Sequence, residues 1–577
     1  MNKAFSPKNL VGAGFAVGAI LLSLLIFETS ILEHTFGIDI FAVLERKGYD
    51  VLMQSRGARQ QSNEIMLVKI DEYSLDKLGG WPISHDQYGA VMTLMSTYGA
   101  KAVALDLIIG DSRDERDSIE NSVMANYLGN ATGVFNSIAP YIPERSEVGK
   151  RDVDPAAIAV VSQFGIPAPQ QHNFLRSPFI DDRPFSALAK VSAGLGHITI
   201  VPEDGVVRSI PLFIEYSGRL YPSLGLALAL HRLGIRPNQI SFTTNDLGVL
   251  VKAGSLEIQT GSIGEVRINY VGNDTLLPSV SFYDILDAAS RQDEKFFSRF
   301  KDKICIIGPT TRSIGDFYAT PVAASSPGYI THANFYDTIV TQNFLHRANG
   351  TLQFFILLVL TLIIGIVAQL SQTRIGVSVS LGIMTMYILF AYFSFASGNT
   401  WYNVVEPLFS SFLCFGSTVA YRAATEGKQK KMITNMFERY VDKTVVHNLI
   451  SNPAMLRLGG ETREITLLFS DIKGFTTISE KIPPEVLGKL LNSYFTEMTN
   501  IIMRNRGTVD KFIGDAIMAF WGAPLPDENA AYNACVSALE MQDRLDKLQS
   551  KIRKYGDIEI RQRVGLNTGV CIVGNMG

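Results

Sequence analysis

Cysteine is scarce in this chain: four residues in 577. Cys305 alone falls between residues 31 and 346, so that segment has no intrachain disulfide. The spacing of Cys305, Cys414, Cys535 and Cys571 suits no zinc site. The eight histidines are scattered and form no cluster. Net charge is slight as well: 52 Lys and Arg against 55 Asp and Glu leave −3, with an isoelectric point near 6.3. That balance leaves no footprint for nucleic acid. Charge is missing altogether from four runs: Leu10 to Phe27, Ala348 to Thr373, Ile375 to Val405 and Pro407 to Tyr421. They explain a mean hydropathy of +0.15 and a 47% hydrophobic content, high for a soluble protein.

A helix needs about 20 apolar residues to cross a bilayer. The runs predict four spans, near 9–29, 351–370, 375–396 and 401–421. Buried core helices are the alternative, which three runs in one block disfavour. A cleaved signal peptide is the alternative for the first run, but "IFETSILEHT" after it lacks a small-x-small cleavage site. Lys3, Lys8, Arg374, Arg422, Lys428, Lys430 and Lys431 all flank the spans on one side if residues 1–8 are cytoplasmic. Residues 31–346 are then outside and 422–577 inside. The lysines at 428–431 fit a lipid surface.

The external segment mixes strand-like and helical patterns. "IMLVKID" (65–71), "AKAVALDLI" (100–108) and "KICIIG" (303–308) suit strands buried on both faces, and "HDQYGAVMTLMSTYG" (85–99) has helical spacing. An α/β domain follows. Residues 111–180, rich in Asp, Ser, Pro and Gln, are expected to hold long surface loops. Asp71 and Asp106 end or interrupt apolar runs, and turn or cap chemistry is the favoured reading over a ligand pocket. "VKIDEYSLDKLGGWPISHDQYGAVM", "DGVVRSIPLFIEYSGRLYPSLGLALAL" and "FKDKICIIGPTTRSIGDFYATPVAASSPGYITHANFYDTIV" resemble the type-2 CHASE domain, an extracytoplasmic sensor of bacterial receptors. The resemblance implies sensing of an unspecified external ligand, and three membrane spans after the sensor.

Between 422 and 463, Met432, Met436, Phe437 and Tyr440 form one apolar stripe and Val445, Val446, Leu449 and Ile450 a second, with Asp442 placed to cap the second. Two short amphipathic linker helices are expected, paired with those of a second chain.

The elements from 464 to 577 read β-α-β-β-α-β, the ferredoxin-like arrangement. Strands are expected at 464–472, 508–514, 515–522 and 560–569, helices at 483–506 and 529–556, and a turn at 567–569 before a further strand at "VCIVG". In this topology the end of the first strand lies beside the start of the third. Asp471 and Asp515 occupy those places, forty-four residues apart in sequence. Two adjacent carboxylates call for a cation, and oxygen-only ligands favour Mg²⁺ or Mn²⁺ over zinc. Gly474 lets the backbone N–H groups of Gly474, Phe475 and Thr476 approach anionic oxygens.

"EITLLFSDIKGFTTISE" and "GTVDKFIGDAIMAFWGAP" then resemble the class III nucleotidyl cyclases, and "FERYVDKTVV" resembles an element that often precedes them. The resemblance implies that Asp471, Asp515 and the Ile472 carbonyl bind two metal ions, Phe475 and Thr476 contact a triphosphate, and Lys511 reads adenine. It favours ATP over GTP, with cyclic AMP and pyrophosphate as products, in a site shared by a homodimer. A guanylate cyclase and a non-catalytic sensor with a cyclase-like dimerisation domain are the alternatives. No GGDEF-like signature points to a diguanylate cyclase. The family's further adenine-reading residue, transition-state Asn and Arg and a triphosphate-binding Lys come after the point matching Gly577. The chain is therefore expected to be an inactive fragment of its parent. The expected whole is a multi-pass protein of the cell's inner membrane: an α/β sensor, four transmembrane helices and an α+β ferredoxin-like cyclase domain truncated at its end.

Overall fold

The computed structural model describes residues 14–22, 40–111, 115–142, 159–245, 247–437, 460–553 and 559–574. The chain forms two compact units, Met1–Thr418 and Val419–Gly577.

The first unit is built on a mostly parallel sheet. After helix α1 (Ile40–Arg56) come β1 (Ile65–Ile70), α2 (Glu72–Leu78), α3 (His85–Thr97), β2 (Ala102–Leu105), α4 (Glu115–Leu128), β3 (Val134–Pro140), β4 (Ile180–Asp182), β5 (Gly194–His197) and α5 (Leu224–Arg232). They are followed by β6 (Ser279–Ser281), α6 (Phe282–Ser290), β7 (Ile304–Pro309) and α7 (Gly328–Val340). The sheet order is β6-β1-β7-β2-β3-β4, with β5 also on β3. Its central strands are buried on both faces, as continuous apolar runs require. Ile65, Leu67, Ala102, Ala104, Ile304 and Ile306 face α1, α5 and α7. Met66, Val68, Val103, Leu105, Cys305 and Ile307 face α3, α4 and α6. This three-layer α/β domain agrees with the sequence reading.

Of 111–180, where long surface loops are expected, α4 and β3 form regular structure, and residues 112–114 and 143–158 lie outside the described residues. Helix α4 buries only Asn121, Met124 and Leu128 while Ile119 stays exposed, so its apolar stripe is too narrow to stand out. Asp71 caps α2, accepting from the Ser74 amide at 2.9 Å and from the hydroxyls of Ser74 and Ser281. Asp106 is buried in the bend just after β2.

Among the described residues, two helices are long and apolar enough to cross a membrane: α8 (Gly350–Leu370) and α9 (Thr373–Gly398). Of the span expected at 401–421, residues 405–421 lie in a longer helix, α10 (Val405–Phe437), whose Ser, Thr and Gly content makes it less apolar, and 401–404 precede it in non-helical structure. Of the span expected at 9–29, residues 14–22 are described, and they are helical; the rest lies outside the described residues. Short strands β8 (His346–Arg347) and β9 (Thr400–Trp401) pair in parallel, so the chain just before α8 and just after α9 is held together. The first linker stripe, Met432, Met436 and Phe437, belongs to the unbroken α10 rather than to a separate short helix. Residues 422–437 are mostly good helix formers. Tyr440, Asp442 and the second stripe lie outside the described residues.

The second unit contains β10 (Glu461–Ile472), α11 (Phe475–Lys481), α12 (Pro484–Arg504), β11 (Thr508–Ile513), β12 (Ala516–Trp521), α13 (Ala530–Ile552) and β13 (Gln562–Val573). The sheet order is β11-β12-β10-β13 and every pair is antiparallel, the ferredoxin-like arrangement. α12 and α13 cover one face through Leu468, Tyr494, Met498, Trp521, Met541 and Leu545. The turn expected at 567–569 is corrected: β13 runs through it, in register with β10 from Glu461↔Val573 to Ile472↔Gln562. Gly569, Asn567 and Thr568 look like a turn in sequence, but pairing along the whole of β10 overrides that preference. Thr568 bonds Thr466 across the strands at 2.9 Å.

Candidate active site

Among the described residues, helices pack on one face of the second unit's sheet only. Side chains alternate along β10, so Leu468, Ser470 and Ile472 are buried under the helices. Leu467, Phe469 and Asp471 point the other way. Cross-strand partners share a face, which places Arg563 of β13 beside Asp471, and Met518 and Lys511 in the row of Phe469. Phe469 is 47% exposed, an unusual position for a central-strand phenylalanine.

Asp515 sits in the β11–β12 turn, after Gly514 at φ 65°. β12 pairs with β10 as far as Ser470↔Ile517, so Asp515 reaches the end of β10, where its Oδ2 accepts the Ile472 amide at 3.0 Å. The structure therefore brings Asp471, Ile472 and Asp515 together at one strand end. Gly474, at φ 71°, follows directly and is the N-cap of α11. Left-handed backbone suits glycine. Phe475 and Thr476 open α11, where first-turn N–H groups lack intrahelical acceptors and the helix dipole is positive. Lys511 lies on the same open face but on the edge strand β11, two strands from Asp471. Its Nζ meets the Asp510 carboxylate at 3.3 Å.

Sequence reading missed Arg563. Its guanidinium takes Asp471 in a two-point pair, Nε to Oδ1 at 3.0 Å and Nη2 to Oδ2 at 2.5 Å. Asp471, and more weakly Asp515, hold Arg563 in its charged form beyond the ordinary arginine value. A lone arginine on a strand carries no sequence signal; only the register Asp471↔Arg563 reveals it.

The donor set fits Mg²⁺ or Mn²⁺: two carboxylates and a backbone carbonyl, all hard oxygens. Asp471 already holds a cation in the form of Arg563. No group of three or more His, Cys, Asp or Glu suited to a metal occurs among the described residues. A metal here thus depends on two carboxylates, with the rest of its shell from elsewhere, as Mg²⁺ on substrate phosphates does.

This sheet order, with two carboxylates at one strand end beside a glycine-led helix, agrees with the resemblance of residues 464–577 to the class III nucleotidyl cyclases. The adenylate and guanylate cyclase catalytic domain family matches residues 460–577. The CHASE2 domain family matches residues 19–367, well over half of the chain, and the chain belongs to that family. Adenylate cyclase 1 of Rhizobium meliloti (strain 1021) is 36% identical over 141 residues, covering 24% of this chain and 21% of that protein. The adenylate cyclase of Anabaena cylindrica is 32% identical over 157 residues, covering 26% of this chain and 30% of that one. The crystal structure of the adenylyl cyclase CyaB from P. aeruginosa is 38% identical, with a TM-score of 0.20, covering 21% of this chain and 63% of that chain. The match spans less than a third of the length of either curated relative.

Proposed function

We propose that this chain is the receptor and catalytic part of a membrane-bound adenylate cyclase, converting ATP to cyclic AMP and pyrophosphate under the control of its CHASE2 sensor. One observation carries the reading: Asp471 and Asp515 converge on Ile472, at the mouth of the glycine-led helix α11. In this reading the two carboxylates and the Ile472 carbonyl hold two Mg²⁺ or Mn²⁺ ions. When bound, these neutralise the triphosphate and lower the pKa of the ribose 3′-hydroxyl. The Gly474, Phe475 and Thr476 amides receive phosphate oxygens. Arg563, whose guanidinium matches phosphate geometry, would stand beside the bound phosphates and could pair with them.

Lys511 reads the adenine ring from a second copy. Two features support a homodimer: the open face carries the exposed Phe469, and Lys511 lies on that face too far along the sheet to join Asp471 within one copy. A copy laid on this face buries the phenylalanine and brings the two half-sites together.

The membrane reading extends to four spans, with the sensor outside and the cyclase domain in the cytoplasm. α8 and α9 supply two of them. The β8–β9 pair supports the topology, because a hairpin of α8 and α9 that leaves and returns to the sensor's base starts α10 on that same side.

The test is product formation by the full-length protein in membranes with Mn²⁺, offered ATP and GTP in turn. The reading expects cyclic AMP in excess, and Lys511→Glu shifts the ratio towards cyclic GMP. Cyclic GMP as the main product of the parent makes it a guanylate cyclase, and no cyclic nucleotide from either overturns the enzymatic reading.

A further inference from the structure

Helix α1 and the α9–α10 loop, Asn399–Val404, are joined in a way that packing of a membrane hairpin does not require. Glu45, near the middle of α1, is 7% exposed. Its two carboxylate oxygens accept the amides of Val404, at 2.5 Å, and Val405, at 2.8 Å. These are the N–H groups at the start of α10, some 360 residues away in sequence, so a side chain from the other end of the unit caps this helix. Burial pushes the Glu45 carboxyl above its ordinary range, and the two amides offset part of that cost.

The next turn of α1 continues the joint. The Tyr49 ring meets Trp401 of β9 at 5.4 Å and Phe395 of α9 at 5.7 Å, both edge-on. The Trp401 ring meets the guanidinium groups of both Arg267 and Arg347, at 5.1 Å and 5.4 Å from its centre. Arg56 at the end of α1 donates to the Asn269 side chain and the Tyr270 carbonyl, and Asn269 donates to Asn343 and, at 3.4 Å, to Asn399 of the loop. α1 is in turn fixed to the sensor core. Asp50 takes the buried Arg208 in a two-point pair at 2.8 and 2.7 Å, and Leu52 and Met53 enter the cluster on the α7 side of the sheet.

We propose that α1 and the 399–404 loop form a coupling joint, in which Glu45 ties the first turn of α10 to the sensor core so that a shift of that core moves the start of α10. α10 is the helix by which the chain leaves this unit. The sensing element thus holds the outgoing helix through its own side chains, without relying on lipid contacts of α8 and α9. As a route of regulation the joint rests on the receptor reading above, but its test does not.

The experiment is amide hydrogen exchange on the full chain in lipid nanodiscs, read at residues 404–408 and, as an internal control, in β1 and β7. Glu45→Gln removes one of the two acceptors and Glu45→Ala both. Exchange at 404–408 is expected to rise at least tenfold in Glu45→Ala, less in Glu45→Gln, with β1 and β7 unchanged. Leu52→Val thins the α1 packing by one methylene. It is expected to raise exchange at 404–408 in the parent, and to add nothing once Glu45→Ala is present. Unchanged exchange at 404–408 in Glu45→Ala, a rise shared equally by β1 and β7, or additive effects of the two substitutions would each overturn the joint. Cyclic AMP formation, followed in parallel, reports on the proposed activity alone.

Discussion

Arg563 and Asp471 face each other across β13 and β10 and share two hydrogen bonds, at 3.0 and 2.5 Å. One of the two candidate metal ligands is therefore already neutralised by the protein itself. In the proposed reading a metal ion competes with that guanidinium for Asp471. Arg563→Ala is expected to tighten Mn²⁺ binding roughly two- to fivefold, the scale of an exposed ion pair, and to weaken nucleotide binding. Titration of Mn²⁺ by electron paramagnetic resonance, with and without nucleotide, checks both signs. Weaker Mn²⁺ binding in the variant would mean that the pair prepares the site instead of competing for it.

Gly474 sits at φ 71° with open space where a Cβ would be, so a substitution there meets strain without a clash. Gly474→Ala is expected to destabilise the cyclase domain by about 1 kcal/mol and to raise KM for the nucleotide by turning the first amides of α11. Thermal melting and steady-state kinetics together test this. A changed melting temperature with an unchanged KM would confine Gly474 to the fold.

Asp106 yields a pH prediction for the sensor. Burial, and secondarily the charge of Asp316, push its carboxyl up to about 7 from an ordinary 3.8. Between those values the folded state keeps a proton that the unfolded chain has lost. Asp106 therefore destabilises the fold progressively as pH rises through that window. Asp106→Asn removes the dependence. It is expected to be more stable than the parent by about 4 kcal/mol at pH 8 and nearly equal to it at pH 4. Melting curves of both proteins at the two pH values decide it, and a difference that does not grow with pH would refute the assignment. His197 and His332, pushed down to about 3 and about 4 chiefly by burial, act in the opposite direction below pH 6.5 but equally in both proteins.

The parts legible in the sequence were those written in local pattern. β1, β2 and β7 announce themselves as short apolar runs. Asp515 could be placed beside Asp471 because the ferredoxin-like strand order alone makes them neighbours. The illegible parts depend on long-range pairing. β13 reads as strand and turn until its full length is laid along β10. Arg563 means nothing until that register is known. Glu45 looks like an ordinary charge on an amphipathic helix, and its partners lie some 360 residues away. α4 was hidden for another reason: it buries too few side chains to show a period.

The central claim is that Asp471 and Asp515 form the metal and nucleotide site of a cyclase. Its most direct test is cyclic AMP formation from ATP and Mn²⁺ by the full-length protein, compared with Asp471→Ala and Asp515→Ala. The account predicts loss of activity in both, by at least a thousandfold for ligands of a catalytic ion, roughly 4 kcal/mol of barrier, with the sensor's melting unchanged. Activity retained within tenfold of the parent in either variant would contradict it.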